Sequence, residues 1–142
     1  MHSFPFYLQL GFHHISDLAG YDHMLFLVAL CAVYRLEQWR QLLILVTAFT
    51  VGHSITLALT SLSLLTIPSD IIEFLIPATI AITALHNVLS DRQTMQSERL
   101  TGRYLMALIF GFVHGMGFSN YFRALLMDES SILVPLFGFN LG

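Results

Sequence analysis

Histidines and carboxylates recur in this chain where the surrounding sequence is apolar. Asp22 and His23 stand at the head of the run Met24–Leu30. His53 lies inside Gln41–Leu65, Glu73 near the start of Asp70–Ser90, and His114 within Tyr104–Met127. His13, His14 and Asp17 come just before the first of these runs. A charge at the centre of a membrane helix costs about 2.5–3.5 kcal/mol on insertion scales, so ionisable residues in such runs mark function by default. Imidazole and carboxylate together suit a divalent first-row ion such as Ni²⁺, Co²⁺ or Zn²⁺. The single cysteine, Cys31, excludes an internal disulfide and a cysteine cage. The candidate metal ligands are therefore His14, Asp22, His23, His53, Glu73 and His114, with no residue singled out as catalytic. His86 sits beside Asn87 at the far end of its run, where interfacial solvation suffices for it.

The elements that must position these groups are membrane helices. Hydrophobic residues make up 56% of the 142 residues and charged residues only 11%, against about 25% in soluble domains. A spanning helix needs roughly 20 apolar residues. Four segments qualify: Leu18–Tyr34, Gln41–Leu65, Asp70–Ser90 and Tyr104–Met127. A fifth begins near Ile132 and is still apolar at Gly142, so further chain is expected beyond it. The fold class read here is all-α: a polytopic integral membrane bundle of four complete spans and the start of a fifth, residues 1–142 forming one domain. Arg35 and Arg40 in the first loop, and Arg92, Arg99 and Arg103 in the third, place those loops in the cytoplasm. The N-terminus and the acidic loop with Asp128 and Glu129 then lie outside. The start of the chain lacks the basic region of a signal peptide. A net charge of −3 without a basic patch gives no footprint for nucleic acid.

Helical spacing sorts the candidates further, because residues three and four apart share a face. Thr50, His53, Thr56 and Thr60 form one stripe; Glu73, Pro77, Ile80, Ala84 and Asn87 form another. Gly111, His114, Gly117 and Phe118 share a third face, and Gly111 with Gly115 permits close helix approach. His14 and His23 are nine residues apart and would point to opposite sides of an unbroken helix. For both to face one site the chain must bend between them, most naturally at Gly20. Adjacent Asp22 and His23 diverge by about 100° on a helix. The division expected is His23 as ligand and Asp22 as an orienting partner of another histidine. Asn140, in the fifth apolar segment, is a further polar contributor.

The stretches GFHHISDLAGYDHMLFL, FTVGHSITL, EFLIPATIAITALHN, FGFVHGMGFSNYF and the closing FNLG resemble the HupE/UreJ family of bacterial membrane proteins, most closely its Bacteroidetes branch. The resemblance covers nearly the whole chain, in order. It implies a multi-pass protein of the bacterial inner membrane, with a role in nickel or cobalt uptake linked to hydrogenase and urease clusters. His14, Asp22, His23, His53, Glu73 and His114 are the positions it carries over. The hydrogenase-associated members place His-Pro before the Asp-His pair, whereas here Ile15 follows His14. The leading expectation is a divalent-metal permease whose partners are lipid and the metal ion. An intramembrane zinc-type hydrolase is the second reading. An accessory subunit, in a homo-oligomer or a larger membrane complex, is the third.

Overall fold

The computed structural model describes residues 3–17, 20–89, 100–127 and 131–142, without the side chains of residues 100 and 101. Arg92, Arg99, Asp128 and Glu129, which carry part of the orientation argument, lie outside the described residues. Every regular element among the described residues is helical: α1 (Phe4–Ser16), α2 (Asp22–Cys31), a 3₁₀ turn (Leu36–Gln38), α3 (Trp39–Ser61), α4 (Ser69–Leu89), α5 (Leu100–Gly117), α6 (Ser119–Leu126) and α7 (Leu133–Leu141).

Local sequence explains the boundaries. Pro5 sits in the first turn of α1, where its missing N–H is not needed. Asp22 opens α2, where a carboxylate suits the helix N-terminus. The amide of Arg35 donates to Gln38 Oε1 at 3.0 Å and shapes the 3₁₀ turn before α3. Ser63, with φ 58°, turns the chain out of α3, and Pro68 precedes α4. Between α5 and α6 the axis bends by 57° at Phe118. There Ser119 Oγ donates to Met116 O at 2.7 Å.

Among the described residues two helices, Leu36–Ser61 (with the 3₁₀ turn) and Ser69–Leu89, are long and apolar enough to cross a membrane, or three if the bent pair α5–α6 is one span. The expected first span, Leu18–Tyr34, differs. Its helix is only the ten residues Asp22–Cys31, about 15 Å long at 1.5 Å per residue, half of a bilayer core of about 30 Å. Hydropathy counts apolar residues and is blind to a break. Ahead of α2, α1 is a separate helix of 13 residues.

Two close crossings hold the bundle together. Gly52 of α3 faces the carbonyl of Leu108, and Gly111 and Gly115 of α5 face those of Phe49 and His53; a Cβ at any of the three would strike backbone. Likewise Gly11 of α1 lies against Phe139 O of α7, and Gly142, just past α7, against Leu8 O of α1. Glycines at these positions let the helix backbones approach closely. The buried face of α4 is Ile72, Ile76, Thr79 and Thr83, one position away from the stripe expected through Glu73, Pro77 and Ala84. Glu73, Pro77 and Ala84 are exposed. Isoleucines and threonines form the packed face, and the threonine hydroxyls are satisfied locally: Thr79 donates to Ile76 O at 2.7 Å and Thr83 to Thr79 O at 2.8 Å.

Candidate metal centre

The two glycine crossings decide which histidines meet. The α3–α5 crossing sets His53 beside α5, and His114 follows three residues after Gly111 on that packed helix. The α1–α7 crossing fixes the end of α1, which carries His14. Between α1 and α2 the helix is interrupted, with Asp17 extended and Gly20 in a bend. That interruption lets His14 and His23 face each other, their ring centroids 4.5 Å apart.

His14, His23 and His53 each offer a ring nitrogen, and these nitrogens all lie within 4.8 Å of one another. Among the described residues this is the one group of three or more histidine, cysteine or acidic side chains gathered so tightly. Nitrogens that share an ion at about 2.1 Å stand roughly 3.4 Å apart in a tetrahedral arrangement, so a contraction of at most about 1.4 Å closes the set. Nε2 of His14, of His23 and of His53 is buried without a hydrogen-bond partner, and so is Nε2 of His114. Buried polar atoms are nearly always paired. Four unpaired imidazole nitrogens in one neighbourhood fit a cation that takes their lone pairs.

His114 stands beside this trio. It is wholly buried, 5.3 Å from His23 between ring centroids. Its Nδ1 lies 2.9 Å from Phe110 O. A carbonyl can only accept, so Nδ1 carries the proton and Nε2 the lone pair. That fixes the tautomer a metal needs. Asn140 of α7 takes a hydrogen bond from Ser54 Oγ at 2.5 Å, and its amide donates to Leu136 O at 2.7 Å. So held, it presents its side chain to His53 as a hydrogen-bonding partner.

Asp22 is half-buried in the first turn of α2, and its charge is felt at both His14 and His114. It is not among the three clustered ligand groups. Glu73 is exposed on α4 and also stands outside the cluster. His13 is exposed and pairs with Gln9 at 3.5 Å. Thr56 and Thr60, on the His53 stripe, spend their hydroxyls on their own helix, at Gly52 O (3.1 Å) and Thr56 O (2.6 Å).

Phenylalanines enclose the histidines, and reasoning from polar residues alone missed them. Phe118 lies 4.1 Å from His14 and 4.9 Å from Phe139, centroid to centroid. Phe139 stacks on His53 at 6.3 Å. Phe49 and Phe26 flank His114 at 5.2 and 5.1 Å and stack on each other at 4.7 Å. A signal was present: Phe49 precedes His53, and Phe110 precedes His114, by one helical turn. The result is an imidazole cluster in an aromatic wall, with neutral donors inside and one carboxylate at the margin.

A family profile described as HupE / UreJ protein matches residues 1–142. Searches of characterised proteins and of solved structures return no match. The profile covers every residue of the chain, including each helix that contributes to the cluster, and the protein belongs to the HupE/UreJ family.

Proposed function

We propose that this protein is a divalent transition-metal permease of the nickel and cobalt type, with the ion as cargo held between His14, His23 and His53. The observation that carries the reading is the convergence of three imidazole nitrogens within 4.8 Å, their Nε2 atoms buried and unpartnered. Neutral imidazoles in an apolar wall bind such an ion without a thiolate's grip. Transport requires that: binding strong enough to enter, weak enough to leave. Asp22 supplies negative charge near the site. A dication buried among neutral rings alone would carry a desolvation cost of several kcal/mol.

The membrane arrangement is part of the proposal. The positive-inside rule puts the Arg35–Arg40 loop in the cytoplasm of a bacterial inner membrane and the N-terminus outside. His14 at the end of α1, His23 at the start of α2 and His114 near the end of α5 then share the outer half. Glu73 is exposed and stands outside the histidine group, so it adds no support to the hydrolase reading.

The test is metal uptake into proteoliposomes by tag-free protein, using radioactive Ni²⁺ and Co²⁺, beside a His23→Phe/His53→Phe variant. Uptake that saturates in the wild type and vanishes in the variant is expected. Stoichiometric binding with no ion crossing would replace the permease with a metal-holding protein. No binding of Ni²⁺, Co²⁺ or Zn²⁺ would overturn the metal reading.

A further inference from the structure

The four imidazoles do not surround one point. His23 is the ring that meets all the others: 4.5 Å from His14, 5.6 Å from His53 and 5.3 Å from His114. His14 and His53 close with His23 into the trio, while His114 stands outside that group. It packs against Phe26, which belongs to the apolar core with Phe49, Leu30, Leu45 and Ala107, and it shares Phe49 with His23 and His53. His23 therefore partners both the trio and His114.

His114 resists a purely structural explanation. It is 0% exposed among aromatic rings, a place that phenylalanine would fill without polar cost. Its Nδ1 is engaged by Phe110 O, and its Nε2 has no partner. A buried, unpaired nitrogen of this kind costs about 1–3 kcal/mol, which a ligand at Nε2 would relieve.

We infer that His23 and His114 form a second, deeper position for the ion, and that the two positions exclude each other because His23 belongs to both. This inference rests on the metal reading above. It extends that reading from a single site to two successive stations. An ion held by the trio passes inward when His23 keeps it while His14 and His53 release it to His114. No covalent bond or electron changes hands; one set of neutral nitrogen donors replaces another. Asp22 reaches both His14 and His114 electrostatically, so one carboxylate offsets the ion's charge at either station.

Calorimetric titration of the full chain in detergent with Co²⁺ tests this in four proteins: wild type, His14→Gln, His114→Gln and the double variant. Two stations predict that His14→Gln weakens binding roughly tenfold or more. His114→Gln alone stays within about threefold of wild type, and the double variant loses the residual binding that His14→Gln retains. Equal weakening by His114→Gln and His14→Gln would overturn the inference in favour of one four-imidazole site. A double variant that binds like His14→Gln would overturn it by making His114 a packing residue. His114→Phe, which refills the aromatic box, guards against misfolding: in the His14→Gln background it must abolish binding as His114→Gln does, and residual binding there would also overturn the two-station arrangement. A wild type that binds no Co²⁺ refutes the metal reading itself, whereas a binding wild type with either contrary pattern refutes only the second station.

Discussion

The two ends of the α2–α5 core both enclose polar side chains and treat them in opposite ways. At one end Asn87 donates its amide to Ala29 O at 2.5 Å, and Arg103 donates to the Tyr34 hydroxyl at 3.4 Å while its guanidinium packs over the Tyr34 ring at 5.7 Å. These contacts tie α4 to α2, and α5 to the turn after α2. At the other end the histidines are just as enclosed, yet Nε2 of His14, His23, His53 and His114 all lack partners. Polar groups that close hydrogen bonds inside an apolar bundle serve architecture. Polar groups held open and gathered together serve a ligand.

Substitutions at the two ends should separate these roles. The largest effect on binding is expected from His23→Phe, which removes the ring in contact with each of His14, His53 and His114. Metal affinity should fall further than the roughly 10–100-fold that loss of an outer partner costs, as measured by equilibrium dialysis. Asn87→Ala at the opposite end should leave affinity unchanged and lower thermal stability by about 1 kcal/mol.

Next in size is the contrast between two glycines of α5. A methyl at Gly115 meets His53 O and Thr56 Oγ1, so Gly115→Ala should destabilise by about 1–3 kcal/mol and displace His53, erasing metal-induced stabilisation. At Gly102 a Cβ meets nothing within 4 Å. Gly102→Ala should therefore stabilise by about 0.5–1 kcal/mol and keep the full metal response. Thermal melts in detergent, with and without Ni²⁺, read both.

A smaller loss is expected at Asn140, which is held by Ser54 and Leu136 and turned towards His53. Asn140→Ala should weaken binding by about tenfold, and Asn140→Asp, which keeps the acceptor oxygen, should recover most of it. The smallest effect is at Glu73: exposed and apart from the cluster, it should tolerate Glu73→Gln with no measurable change in affinity.

Much of this organisation was legible in the sequence, for identifiable reasons. An imidazole in an apolar run is costly enough to stand out. The nine-position offset from His14 to His23 demands a break, and the helix is interrupted between Ser16 and Asp22. The Gly111–Gly115 pair is a local pattern, and both residues lie at the α3–α5 crossing. Other features depend on partners distant in sequence. The face of α4 that is buried was misread by one position, because apolar residues surround that helix and only its neighbours determine which stripe packs. The bend at Phe118 leaves no gap in hydropathy. The Phe118–Phe139 wall joins residues 21 apart on separate helices, and no periodicity links them.

The central claim is that His14, His23 and His53 hold one divalent metal ion through their nitrogens. X-ray absorption at the nickel edge of tag-free, Ni²⁺-loaded protein tests it most directly. The account predicts stoichiometric nickel with imidazole scattering from His14, His23 and His53, reduced by one ring in His53→Phe. Nickel surrounded by oxygen alone, or a spectrum that His53→Phe leaves unchanged, would contradict it.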